Sequence, residues 1–218
     1  MLAFSSAHSA GAKSLVYHTA PTVAEYLEAT RQRDLLKARL REIRLAPHAQ
    51  AYVVSYPHVV YLLTVVAEDS PATIAVLPVL AHLAAMCPRL TLRVLEREAA
   101  AGSLATLLGE QAATIRLDDA HLPLLLAFDQ AWQCHGSWGP HPRAIEPYLA
   151  KWQAGQPEMG TPETGLREPP VHEMRLWYNS GLNQACAQEV CALLAGIHDR
   201  LKEAAPPQAQ QPDDTAEG

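Results

Sequence analysis

Residues 58–67 (HVVYLLTVVA) form an unbroken apolar run rich in β-branched side chains, and nothing else in the chain restricts its fold as much. A strand this apolar on successive residues must be covered on both faces of a sheet. It is followed by Glu68-Asp69-Ser70-Pro71, which reads as a turn into a helix, with Ser70 as N-cap and Pro71 at the first helical position. That helix carries Ile74, Leu77, Leu80, Leu83 and Ala84 toward a core and ends before Pro88. Residues 90–96 (LTLRVLE) then alternate as a second strand. Strand, helix and strand in this order predict a parallel βαβ unit.

The flanking segments extend this unit. Residues 1–20 show no periodicity and are expected to form a flexible N-terminus. Thr22 and Glu25 have capping-box spacing, predicting one helix from there to about Leu45, stopped by Pro47. Residues 51–55 read either as a short strand or as the end of a connecting segment. A short helix is expected over 100–108. Residues 122–128 and 131–138 read as a β-hairpin turning at Asp129-Gln130. Pro140, Pro142 and Arg143 introduce a helix that runs to about Gln153. The resulting organisation is a flexible segment 1–20, a domain over 21–154, a linker over 155–170, a helical segment over 171–204 interrupted near 179–181, and a disordered tail over 205–218.

Composition narrows the function. The chain has 218 residues, 49% of them hydrophobic, which is ample for a packed core, and a net charge of −6. That charge argues against a nucleic-acid partner. The basic stretch 31–44 alternates with Leu and Glu at helical spacing and reads as a solvated helix face. No apolar run approaches the roughly 18–20 residues needed to span a bilayer. Residues 1–13 do not resemble a secretory signal, so a cytoplasmic location is expected.

The four cysteines, Cys87, Cys134, Cys186 and Cys191, make no Cys-x-x-Cys and no zinc-ligand spacing, and buried, reduced thiols are expected. Cys186 and Cys191 on one helix would point about 140° apart, which disfavours a disulfide between them. Cys134, His135 and His141 are part of a metal-ligand set but lack a fourth member. Neither a metal nor another cofactor is expected.

Four segments resemble bacterial thioredoxin-family proteins with an N-terminal helical extension. The strand ending in Ala67-Glu68-Asp69, followed by Val76-Leu77-Pro78-Val79-Leu80, is similar to the family's strand and Leu-Pro-Val helix. His121-Leu122-Pro123 is similar to the Ser-Ile-Pro whose proline is cis and faces the active site. Residues 136–142 (GSWGPHP) are similar to Gly-x-Trp-Gly-Pro-Arg-Pro, carried here by Trp138, Gly139 and Pro140, and Leu176-Trp177-Tyr178-Asn179 is a weaker match. The resemblance implies an α/β fold: a thioredoxin-like mixed sheet flanked by helices, with N- and C-terminal helical extensions.

It also locates a departure. Counted back from Pro78 without a gap, the family's Cys-x-x-Cys falls on Ser70-Pro71-Ala72-Thr73, and the preceding Trp falls on Asp69. Thiol–disulfide exchange needs a thiolate at a helix N-terminus and a second, resolving thiol. Ser70 and Thr73 supply neither, so no catalytic residue is expected at this position.

The leading expectation is a non-catalytic module that binds an unknown protein or peptide in a groove made by Asp69, Ser70, Pro71, His121, Leu122 and Pro123. His121 could serve there as acid, base or ligand, or as a hydrogen-bonded loop residue. Two alternatives stand beside it. One is an oxidoreductase using Cys87 or Cys134 as a lone thiol; the other is an oligomerisation module docking through its terminal helices. Trp138, Trp152 and Trp177 read as packing residues. The oligomeric state is open.

Overall fold

The computed structural model describes residues 2–155 and 169–204. Its centre is a four-stranded sheet in the order β2-β1-β3-β4. Strand β1 (Val60–Val66) runs parallel to β2 (Leu90–Glu96), in register from Val60 opposite Leu90 to Val66 opposite Glu96. On its other side β1 is antiparallel to β3 (Leu124–Phe128), which pairs antiparallel with β4 (Cys134–Trp138). The helix between β1 and β2, α5, spans Pro71–Ala85. The expected βαβ unit and hairpin are therefore present.

Period-two alternation divides β1 between two cores. Val60 and Leu62 pack with Leu90, Leu92, Leu125 and Ala127 against α5 and the long C-terminal helix. Leu63 and Val65 pack with Leu95, Leu126 and Phe128 on the opposite face, under Tyr17, Leu104 and Leu107. Covering both faces removes the apolar run from water, and this burial is the main source of stability for the sheet.

The N-terminal half corrects three expectations. Residues 2–19, expected to lack regular structure, form helix α1 (Leu2–Thr19). Its anchor is Tyr17, fully buried, with its hydroxyl 2.6 Å from the Thr91 carbonyl and 3.2 Å from that of Leu62. The single helix expected over 22–45 is two, α2 (Val23–Ala29) and α3 (Arg33–Glu42). The capping box is formed: Thr22 Oγ1 accepts from the Glu25 amide, and Glu25 accepts from the Thr22 amide. Between the helices, Glu68 accepts hydrogen bonds from Thr30 Oγ1 and the Arg31 amide at 2.8 and 2.6 Å. Those contacts hold the chain out of helical geometry. Finally, Pro47 begins a helix, α4 (Pro47–Val54), because a proline at the first position loses no hydrogen bond. Residues 51–54, left open between strand and connection, belong to that helix.

Beyond β2 come α6 (Arg97–Leu108), two 3-10 turns and the hairpin, whose turn is wider than the expected two residues: the Asp129 amide donates to the Gln133 carbonyl at 3.1 Å. Helix α7 (Glu146–Ala154) follows. Most of the expected linker (156–168) and the expected tail (205–218) lie outside the described residues. Helices α8 (Val171–Trp177) and α9 (Asn183–Ala204) are joined by a widened turn, Tyr178–Leu182, in which Gly181 adopts φ 150°. That is where the interruption was expected.

The outer edge of β2 is covered by the α1–α2 connection. The Val94 amide donates to the Pro21 carbonyl at 2.9 Å, and Arg93 Nη1 donates to the Ala20 carbonyl at the same distance.

Candidate functional site

The carboxyl ends of β1 and β2 converge at the N-terminus of α5, where parallel strands leave a crevice. A cleft of about 560 Å³ lies there. Asp69, Ser70 and Pro71 line it together with Arg31, Glu96, Arg97, Glu98 and Asp119. Three of the sequence-predicted groove residues are thus brought together. The other three are placed differently. Leu122 is fully buried in the core beneath α1 and α6, Pro123 is buried, and His121 holds Asp118 at 2.5 Å on the protein's surface. The 3-10 turn Asp119–His121 reaches the cleft through Asp119 instead.

Ser70 terminates α5 as an N-cap: its Oγ accepts from the Ala72 amide at 3.1 Å, and its backbone is extended at φ −71°, ψ 127°. Thr73, at the second matched position, is completely buried, and its hydroxyl has no hydrogen-bond partner among the described residues. The Leu122–Pro123 and Gly139–Pro140 peptide bonds are both cis. Gly139, at φ 128°, lies against the Pro123 backbone. Trp138 is turned away from the cleft, donating from Nε1 to Glu189 of α9 at 2.7 Å.

The electrostatics of the cleft are dominated by carboxylates. Arg31 donates to Glu68 and Asp69, both at 2.9 Å. The Arg31 amide, the Thr30 hydroxyl and the Arg31 guanidinium together hold the Glu68 carboxyl below its usual range. Arg97 is in close contact with Asp119. Glu96 behaves oppositely: partial burial, then the neighbouring charges of Glu68 and Glu98, push its carboxyl up. Arg31, Glu96, Arg97, Glu98 and Asp119 were not anticipated from the sequence. The signal that could have found four of them is position, since Glu96 ends β2, Arg97 and Glu98 follow it, and Asp119 lies in the turn before β3. The signal for Arg31 is absent, because its place depends on the break between α2 and α3.

No cysteine lines the cleft among the described residues. Cys87 and Cys186 are buried, and Cys134 and Cys191 are partly exposed, all four as free thiols. Burial pushes the Cys134 and Cys191 thiols up, and Cys186 well up. His135 pairs with Asp129 at 2.9 Å, and His141 faces the Tyr178 hydroxyl at 3.0 Å, so neither ring joins Cys134 in a ligand set. Among the described residues, no group of three or more His, Cys, Asp or Glu is placed to hold a metal. No helix among them is long and apolar enough to cross a membrane. A larger cavity, of about 790 Å³, lies beside Tyr148, Trp152 and Trp177, and none of the six expected groove residues lines it.

Comparison with known proteins agrees with this fold. The fold is similar, at a TM-score of 0.59, to a protein of unknown function from Pseudomonas aeruginosa that is 14% identical, with 85% of this chain and 96% of that chain covered. It is similar at the same TM-score to an HIV 4E10 epitope-scaffold, 13% identical, with 84% and 97% covered. No curated protein matches the chain. A family model described as Thioredoxin matches residues 20–153, which spans the sheet, α5 and the cleft. The chain belongs to the thioredoxin family.

Proposed function

We propose that this chain is a non-catalytic thioredoxin-fold module whose cleft at the N-terminus of α5 binds an extended, positively charged segment of a protein partner. One observation carries the reading. The position a redox member fills with its nucleophilic thiol holds Ser70, whose Oγ is engaged in capping α5. A serine hydroxyl stays protonated near neutral pH and forms no disulfide, so the scaffold keeps its cleft without the exchange chemistry.

Charge supports the choice of partner. Asp69, Glu96, Glu98 and Asp119 outnumber Arg31 and Arg97, and both arginines already lie against carboxylates. A lysine or arginine side chain entering the cleft meets an attractive field, whereas an acidic one is repelled. Lone-thiol chemistry through Cys87 or Cys134 finds little support, because Cys87 is buried and burial shifts the Cys134 thiol away from the thiolate. The assembly reading rests on Leu176, 63% exposed on α8.

The test is an amide-shift titration of the full chain with a lysine- and arginine-containing hexapeptide and with its glutamate-containing counterpart. The reading expects shifts at Ser70, Ala72, residues 96–98 and residues 119–121 with the basic peptide alone, weakened by Glu96→Lys. Shifts elsewhere, or equal shifts with both peptides, refute it. Insulin reduction with dithiothreitol runs beside it: turnover that disappears in Cys134→Ser would replace the binding reading with lone-thiol catalysis. A concentration-dependent mass in sedimentation, lost in Leu176→Ser, would favour assembly.

A further inference from the structure

Far from the cleft, two histidines meet. His58, two residues before β1, places Nε2 2.8 Å from Nδ1 of His198, which lies in the last two turns of α9. The ring centroids are 5.0 Å apart and both rings are half-buried. Two imidazole nitrogens at this separation share one hydrogen: one ring donates and the other accepts. Adding a proton at a far nitrogen of the donor ring converts the contact to imidazolium–imidazole, a stronger charge-assisted bond. Adding a second proton places an N–H on both facing nitrogens and two like charges across the same gap.

We propose that the His58–His198 contact is a pH-sensitive clasp, which holds the end of α9 on the domain while it carries one added proton or none and releases it on taking a second.

The surroundings favour this response. The His58 ring packs edge-on against Tyr56 at 5.9 Å, and the buried Tyr56 hydroxyl donates to the Leu194 carbonyl at 3.0 Å. From α4, Tyr52 faces Cys191 and Asp199 of α9, and the Cys87 thiol lies 3.9 Å from the Tyr56 carbonyl. Arg200, the next cation on α9, donates to the His135 carbonyl at 2.7 Å. Among the described residues, no carboxylate pairs with either ring to accommodate a second charge. Partial burial and then the charge of His198 hold the His58 imidazole below its ordinary range. Ile197, fully buried, fixes the helix just upstream, so release is confined to residues 199–204, where the Arg200 contact would part and the half-buried Leu201 would leave the core it packs against.

The experiment is NMR on the full chain between pH 8 and 4.5. Ring-nitrogen spectra follow His58 and His198, and relaxation follows the amides of residues 199–204, with those of α5 as an internal reference. The clasp expects the two rings to titrate in two coupled steps. Order parameters at 199–204 should fall from about 0.85 to below about 0.6 with the second step, while α5 stays rigid. His58→Gln and His198→Gln should each remove the pH dependence of 199–204. Independent single-step titrations, unchanged order at low pH, or the same loss of order in both variants would overturn it.

Discussion

Gly139 lies directly against the Pro123 carbonyl: a side-chain carbon on Gly139 would stand 2.2 Å from that oxygen. The hairpin end carrying the Trp138-Gly139-Pro140 motif thus packs on the backbone leading into β3. The motif's tryptophan fixes the other side by reaching Glu189, which also accepts from the Arg143 amide at 2.8 Å. Gly139→Ala must therefore displace backbone rather than a flexible side chain, at a residue whose φ of 128° already disfavours a Cβ. A loss of about 2–3 kcal/mol is expected, read as a lowered urea midpoint. Gly102 is the contrast. It sits exposed within α6 with nothing within 4 Å of a built Cβ, so Gly102→Ala should gain about 0.5–1 kcal/mol.

Thr73 gives a prediction of opposite sign to most core substitutions. Its buried hydroxyl has lost water and gained no partner among the described residues. Thr73→Val keeps the shape and removes the orphaned group, and should stabilise by about 1 kcal/mol in equilibrium unfolding. A loss instead would mean that a bound water or partner serves that hydroxyl.

Arg39 is a buried cation, 1% exposed, and donates to Glu42 at 3.1 Å, to Asn179 at 2.7 Å and to Asn183 at 3.0 Å. Arg175 and Asn179 also donate to Glu42, and the Arg175 bond above all holds that carboxyl down at about 2. Glu42→Ala leaves the guanidinium without its counter-charge and should cost about 3 kcal/mol. Arg39→Met in the same background should restore part of that loss, since no charge then remains buried. A double-mutant cycle measures the coupling, and additive losses would refute the pairing.

His141 makes stability depend on pH. Burial lowers its imidazole to about 4 from an ordinary 6.5, because the folded chain disfavours the charged ring in the place where it faces the Tyr178 hydroxyl. The unfolded chain binds the proton first, so stability rises with pH across this window. The contribution is complete above pH 6.5 and is lost progressively toward pH 4. The gap corresponds to about 3 kcal/mol. Urea unfolding at pH 7 and pH 4.5 should show a smaller pH loss for His141→Gln than for the parent chain. Equal losses would place the acid sensitivity elsewhere.

What could be read from the sequence was what local pattern decides. The β1 run, the alternation of β2, the Ser70 cap, the Thr22–Glu25 box and the break at Gly181 each follow from residues adjacent in the chain. What escaped depends on contacts across the fold. Helix α1 is rich in Ala and Ser, with few large apolar residues to show a pattern, and Tyr17 is its main anchor. The break at residues 30–32 exists because Glu68, distant in sequence, accepts from Thr30 and Arg31. Pro47 reads equally as an end or a beginning. The cleft was half legible: Asp69 to Pro71 came from the turn, while Glu96, Glu98 and Asp119 came from strand ends that only the sheet brings together.

The Pro21 carbonyl, where it takes the Val94 amide, has a meaning for solubility as well as for shape. A naked strand margin is a template on which other chains can crystallise into continuous cross-molecular sheet. Here the chain itself occupies that margin at Arg93 and Val94, so the short stretch between α1 and α2 works as a selvedge. A protein trimmed beyond residue 21 would lose this seam together with Tyr17, baring both the margin of β2 and the Leu63–Phe128 face to neighbouring molecules, and clumping would follow.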